Sequence, residues 1–201
     1  MLTPDRDEQI IDILPPMELH LMLGVVNRLF KHLDTALDGE LEELWSLPLG
    51  MKRAPQYGGE FNGNHRRTLL KHLSCLDELQ ETEKQVERTE DCRKCLKCVL
   101  HRINRYAEFE AVLDVFLAFN KVVHAYFGTK LDKDFEYYIK DFGDSYCFLG
   151  LSVTPKVHAI LCHVKQFLNR KGAHRGLGDY SEQASEAVHS NFYSLWATGR
   201  V

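Results

Sequence analysis

Apolar residues recur at helical spacing along two long stretches of the sequence, and this pattern constrains the fold more than any other feature. Within residues 17–37 and again within residues 96–127, apolar side chains return every three or four positions, which places them on one face of an α-helix. The core positions predicted in the first stretch are Leu19, Met22, Leu23, Val26, Leu29, Phe30 and Leu33. No stretch alternates apolar and polar residues for long enough to require a β-strand. We therefore predict an all-α fold, with residues 96–127 as the central helix.

Prolines and glycines mark the ends of the predicted helices. Pro15 and Pro16 cannot continue a helix, so residues 1–16 are predicted to be an entry arm ahead of one helical domain at 17–201. A glycine follows each of the two long helices and is predicted to stop it: Gly39 and Gly128. Charged residues dominate the stretch 76–91, which favours a solvated helix or a connector.

Two further helices are predicted in the second half of the chain. One covers residues 132–146 and is weakened towards its end by the glycines of the 143–150 region. The other begins at Thr154-Pro155, because proline is favoured at the first helical position, and it ends before Gly172.

The composition limits what the chain can do. Its 201 residues, of which 44% are hydrophobic, are enough to bury one sizeable core. The net charge of −4 argues against a protein that coats nucleic acid with its whole surface, so any such contact requires a local basic patch. We find no secretion signal and no apolar run near the ~20 residues of a membrane span, so we expect a soluble intracellular protein with no membrane partner. The six cysteines are then expected to be free thiols or metal ligands.

The stretch from Asp179 to Trp196 is predicted to be a helix with two acids and a histidine on one face. Glu182, Glu186 and His189 follow one another at spacings of four and three, so they lie above one another on the helix surface. Carboxylates one turn apart, with an imidazole one turn later, are suitable ligands for a divalent cation. A solvated acidic face is the alternative interpretation.

A basic segment follows the glycine-rich turn at residues 50–64. Asn64 can cap a helix whose first turns carry Arg66, Arg67 and Lys71, so backbone amides and cations are concentrated at one helix start, as a phosphate site requires. A capped basic surface helix without a ligand is the alternative.

Cysteines and histidines provide two candidate zinc sites. Cys92, Cys95, Cys98 and His101 occur every three residues, but in a helix the first and last are ~13 Å apart, too far for one tetrahedral ion. A pair such as Cys92 and Cys95 can bind zinc with ligands from elsewhere, or the cysteines form a thiol-rich helix edge. His158 and His163 are about 140° apart around an ideal α-helix, so they share an ion only if the helix is distorted or other ligands take part. If they share no ion, His158 and His163 have a structural role.

The order of four segments resembles a known family. ELHLMLGVVN, FNGNHRRTLLKHL, KVHAILCHV and YSEQASEAVHSNF occur in this order, with a glycine loop before the last. Together they resemble the C-terminal part of the catalytic region of the V(D)J recombinase large subunit, the recombination-activating protein, and of its Transib-type DDE transposase relatives. The segment 76–150 resembles that family only in being helical.

The resemblance implies a fold and a set of site residues. It implies the helical insertion and last active-site helix of an RNase H-like transposase, without the RNase H sheet and its two aspartates. Two divalent ions, Mg²⁺ or Mn²⁺, act in such enzymes, and the family's late glutamate corresponds to Glu186, with Glu182 one turn earlier. The family's zinc histidines correspond to His158 and His163, and Cys92 with Cys95 are candidates to complete the shell. The DNA-contacting positions implied are Asn62, Asn64, Arg66, Arg67 and Lys71.

The resemblance also implies a location and partners. The expected partners are transposon-end DNA and a full-length transposase or a second copy of the chain, in the nucleus. Because two carboxylate segments are missing, the isolated chain is expected to be inactive in DNA cleavage and strand transfer. Two other functions remain open: a non-catalytic DNA- or protein-binding module derived from a transposon, and an unrelated helical metal-binding protein that uses Glu186-x-x-His189.

Overall fold

The chain folds into a set of packed helices, as the apolar periodicity predicts. A computed structural model describes residues 18–53, 60–73, 106–170 and 175–180. Of these residues 73% are helical, and they contain no strand. The α-helices are α1 (Glu18–Ala36), α2 (Gly63–Lys71), α3 (Tyr106–Tyr126), α4 (Phe135–Phe148), α5 (Pro155–His158) and α6 (Lys165–Arg170). Two π-helices, Glu42–Ser46 and Ala159–Val164, and a 3₁₀-helix, Leu177–Tyr180, complete the described elements. The all-α prediction is confirmed for this part of the chain.

Helix α1 buries one face along its whole length and ends where the sequence predicts. Of the predicted core positions in this helix, five are buried, whereas Leu19 and Leu23 are only half-buried. The helix stops because Asp38 and Gly39 adopt left-handed backbone angles, with φ of 52° and 85°. The amide of Gly39 then donates to the carbonyl of Asp34 at 2.7 Å, which satisfies one of the last free carbonyls of the helix.

Helix α3 is the centre of the domain. It packs against both α1 and α4. Its buried residues lie around most of its circumference: Phe109, Val112, Leu113, Val115, Phe116, Ala118, Phe119, Val122, Ala125 and Tyr126. A helix that is apolar nearly all round must be enclosed by its neighbours. The helix ends at Tyr126, two residues before Gly128, so the predicted central helix and its stop are confirmed; residues 96–105 lie outside the described parts.

Aromatic rings connect the helices into one core. Phe30 of α1 meets Trp45 at 6.1 Å and Phe61 edge-on at 4.8 Å, measured between ring centroids. On the other side of α3, Phe119 lies 5.2 Å from Phe142 of α4. Such pairs add about 0.5–1.5 kcal/mol each beyond their buried area. The buried residues from Leu21 to Leu177 form a single cluster within the described parts of the chain.

Helix α4 begins and ends later than predicted. It runs through Gly143 instead of weakening there. The reason is a close helix contact, because a Cβ atom at Gly143 would lie 3.0 Å from Cδ2 of Leu161 in the second π-helix. The glycine therefore permits two helices to approach, and it does not break the helix that contains it.

Among the described residues, no helix has both the length and the apolar character needed to cross a bilayer.

Candidate functional site

A π-helix brings His158 and His163 together. The helix that starts at Pro155 begins as α5, capped by Thr154, whose hydroxyl accepts from the amide of Val157 at 3.3 Å. It then widens into the π-helix Ala159–Val164 directly after His158. In a π-helix the backbone hydrogen bonds span five residues, and the wider turn brings residues five apart closer together around the axis than in an α-helix. The ring centroids of His158 and His163 are 5.0 Å apart, with the rings nearly perpendicular.

This geometry corrects the expectation that the two histidines diverge by about 140°. That angle assumes a regular α-helix, and the local backbone is not one. The buried face of the same segment anchors it, because Val157, Ile160 and Val164 are fully enclosed in the core. Both histidines consequently lie on the outer face, where their side chains are exposed.

The separation of the two imidazoles can be compared with that of two ligands of one metal ion. Two imidazoles on one tetrahedral zinc ion, each with a Zn–N bond of ~2.0–2.1 Å, have ring centroids ~5 Å apart. The observed 5.0 Å is close to this value, and it is also an ordinary distance for two rings in edge-to-face contact. Within the described residues, no third histidine, cysteine or acid joins the pair. The predicted additional ligands, Cys92 and Cys95, lie outside these residues. Cys162, between the two histidines in sequence, is an exposed free thiol.

The basic segment is capped by a different residue from the one predicted. Asn62, not Asn64, is the N-cap of α2, and its side chain accepts from the amide of His65 at 2.9 Å. The helix therefore begins at Gly63, earlier than an Asn64 cap implies. Asn64 lies in the first turn with its side chain exposed.

Arg66 is a core residue and not a surface cation. It is 3% exposed, and its guanidinium donates to Oδ1 of Asn27 at 3.1 Å and to Glu60 at 3.0 Å. Asn27 also donates to the same Glu60 carboxylate. Burial lowers the pKa of Arg66 to about 10, although the neighbouring Glu60 raises it. A guanidinium enclosed in this way cannot reach a phosphate, so the structure argues against the predicted DNA contact at this position.

Arg67 and Lys71 are the exposed cations of α2. They are one turn apart on the same face, and Arg67 donates to Glu18 of α1 at 3.4 Å. Glu18 is only 6% exposed, and this burial raises its pKa, against the opposing charge and hydrogen bond of Arg67. Of the predicted DNA-contacting residues, Asn64, Arg67 and Lys71 are accessible to a ligand.

The predicted metal-binding acids lie beyond the last described residue. Glu182, Glu186 and His189 are outside the described parts of the chain, so the acidic helix remains a prediction. What is described is its entry, a 3₁₀-helix in which Asp179 accepts from Arg175 at 3.1 Å.

Two glycines fix this entry against the end of α3. The amide of Gly176 donates to the carbonyl of Thr129, and that of Gly178 to the carbonyl of Gly128, both at 3.0 Å. A Cβ atom at Gly176 would lie 2.2 Å from the carbonyl oxygen of Gly128, so only glycine fits. This stretch was predicted only as a loop, although the glycine spacing was the available signal for a close backbone contact.

Comparisons with models of protein families, with curated proteins and with solved structures found no match to this chain.

Proposed function

We propose that this chain is a helical segment of a DDE-type DNA transposase or recombinase that holds a zinc ion through His158 and His163. The observation that supports the proposal best is the π-helix, which places two histidines at a separation suitable for one ion. The five-residue spacing of these histidines is also the spacing implied by the resemblance. The ion, once bound, would cross-link the outer face of this helix to whatever supplies the remaining ligands and so stabilise the fold.

In this proposal the catalytic acid is Glu186, supported by Glu182. Mg²⁺ or Mn²⁺ bound there would polarise the phosphate oxygens, together with the two aspartates that such enzymes use. The described residues position the acidic helix and contact DNA. The glycine contact at 176–178 sets where the acidic helix begins, and Arg67 with Lys71 meet the DNA backbone.

The isolated chain does not nick DNA or transfer strands, and its partners are transposon ends and a fuller transposase, in the nucleus.

Zinc binding is tested by metal analysis of the purified chain. We expect one zinc ion per chain and a lower melting temperature after chelation, since metal affinity is then part of the folding free energy. His158→Gln and His163→Gln should each abolish stoichiometric zinc, whereas His124→Gln, an exposed histidine of α3 outside the pair, should leave it unchanged. The site would be refuted if the purified protein contained no zinc and its melting temperature did not change on addition of a chelator.

The catalytic role is tested in a full-length relative that carries this segment. Cleavage of terminal-repeat DNA is measured with manganese, for Glu186→Gln and Glu182→Gln side by side. We expect Glu186→Gln to abolish cleavage. If only Glu182→Gln does so, the catalytic acid lies one turn earlier, and if neither does, the segment has no such role.

A helical metal-binding protein unrelated to transposases is the second candidate. It is favoured by the same histidine pair, which needs no catalytic acid to bind an ion. The two candidates differ in DNA binding: zinc without any salt-dependent affinity for DNA would favour the second.

A further inference from the structure

A cavity separate from the histidine pair lies where α1, α2 and the end of α3 meet. Its volume is about 610 Å³, within the range of small-molecule sites. The apolar part of its wall consists of Met22, Leu70, Val123 and Phe127. Backbone of the 128–129 turn and of Gly178 closes one side. This side of the cavity is therefore formed where the 175–180 segment contacts the end of α3.

The polar groups of the cavity have an excess of positive charge at its surface. Arg67, Lys71 and His124 are exposed lining residues, so they mark its mouth. Glu18 lies deeper, 6% exposed, and its carboxylate faces Arg67. One acid therefore offsets one arginine, which leaves the Lys71 ammonium and the His124 imidazole as donors for a ligand.

An unpaired amide oxygen lies in the same region. Asn120 of α3 is half-buried and lines both this cavity and a neighbouring one that Asp132 and Tyr138 also line, and its buried Oδ1 has no hydrogen-bond partner among the described residues. Buried polar atoms are nearly always paired, so this oxygen is available to a molecule bound in either cavity. Rotation of the amide plane allows this side chain to offer a donor or an acceptor to a bound molecule.

We propose that this cavity binds a small organic anion, with its phosphate or carboxylate held by Lys71 and His124 and an apolar body against Met22, Leu70 and Val123. A bare inorganic anion would leave the apolar wall uncovered, and a neutral apolar molecule would leave the Lys71 ammonium without a counter-charge. The inference goes beyond the proposed function and does not depend on zinc or on DNA cleavage.

The experiment uses the full chain, labelled for NMR, with phenyl phosphate and phenylacetate as probes. The amides of Gly128, Thr129 and Gly178 line the cavity and should shift saturably, with a dissociation constant on the order of 1 mM for a ligand of this size. Inorganic phosphate and benzyl alcohol, which each lack one half of the ligand, should bind at least about tenfold more weakly. Whichever of the two probes binds more tightly identifies the anion as phosphate or carboxylate.

Matched variants test the residues. Lys71→Gln and His124→Gln should each weaken phenyl phosphate about twofold to fivefold, as expected for exposed charged contacts. Lys140→Gln removes an exposed lysine of α4, paired with Asp144 and outside the cavity, and should change nothing. The proposal is overturned if neither probe saturates, if inorganic phosphate binds as well as phenyl phosphate, or if Lys140→Gln has the same effect as Lys71→Gln.

Discussion

The adjacent arginines of α2 should differ in how much stability the same substitution removes. Arg66→Met removes a guanidinium that is 3% exposed and donates to both Asn27 and Glu60. Hydrogen bonds to a charged group contribute about 1.5–3 kcal/mol each. Water can replace the contact to Glu60, which is 57% exposed, and the low pKa shows that burying the charge itself is costly. We therefore expect a net loss of about 2–3 kcal/mol in the free energy of unfolding.

Arg67→Met is the matched control. The Arg67 side chain is 47% exposed and makes one long contact to Glu18, so its loss should cost about 0–1 kcal/mol. Urea unfolding followed by far-UV circular dichroism measures both values, and the melting temperature of Arg66→Met should fall by about 4–12 °C. Arg66→Lys keeps the charge without the planar fork and should lie between wild type and Arg66→Met. If Arg66→Met and Arg67→Met destabilise the protein equally, the structural role assigned to Arg66 is wrong.

Two further substitutions test local features of the fold. Burial raises the pKa of Glu18 above its ordinary 4.5, so its contribution to stability is fully present below that value and is lost as the pH rises through the higher folded pKa. Glu18→Gln should therefore gain stability relative to wild type as the pH rises above 4.5, and a difference in urea unfolding that does not change with pH would contradict this. Thr154→Ala should destabilise the protein by about 1 kcal/mol because the hydrogen bond from the Val157 amide to the Thr154 hydroxyl is lost. Asp134→Ala is the control, because Asp134 is the N-cap of α4 but makes no side-chain cap hydrogen bond, and it should cost less. Thermal unfolding measures both values.

The helices could be predicted from the sequence because apolar residues recur at helical spacing and are buried in the structure. The core face of α1, the central position of α3 and the start of α5 at Pro155 all depend on local patterns of apolar residues, prolines and glycines. The course of α4 through Gly143 could not be predicted locally. The close approach of Leu161 to Gly143 is a contact with another helix, which the local sequence does not show.

The candidate sites were less predictable for the same reason. Arg66 lies three and four residues before Leu69 and Leu70, so helical spacing places it on the buried face of α2, but its partner Asn27 is 39 residues away and cannot be identified from the local sequence. The spacing of His158 and His163 places them far apart around a regular α-helix. The π-helix, which the sequence does not show, brings them together. Helices are predicted from apolar periodicity on the assumption of a regular α-helix. A local π-helix, in which residues five apart can share one face, is therefore not predicted.

The glycine contact between the 175–180 segment and the end of α3 allows a test of how tightly this segment, which leads to the predicted acidic helix, is held. Gly176→Ala would place a Cβ atom 2.2 Å from the carbonyl oxygen of Gly128, a contact with backbone that no side-chain rotation can relieve. The segment must therefore move away from α3, which breaks the hydrogen bonds of the Gly176 and Gly178 amides and costs about 1–3 kcal/mol. Gly128→Ala is the control, because a Cβ atom there meets nothing within 4 Å. Hydrogen exchange should accelerate at both amides in Gly176→Ala and stay unchanged at both in Gly128→Ala. Slow exchange in Gly176→Ala would mean that the segment adapts without leaving α3, and the contact would then not determine where the acidic helix begins.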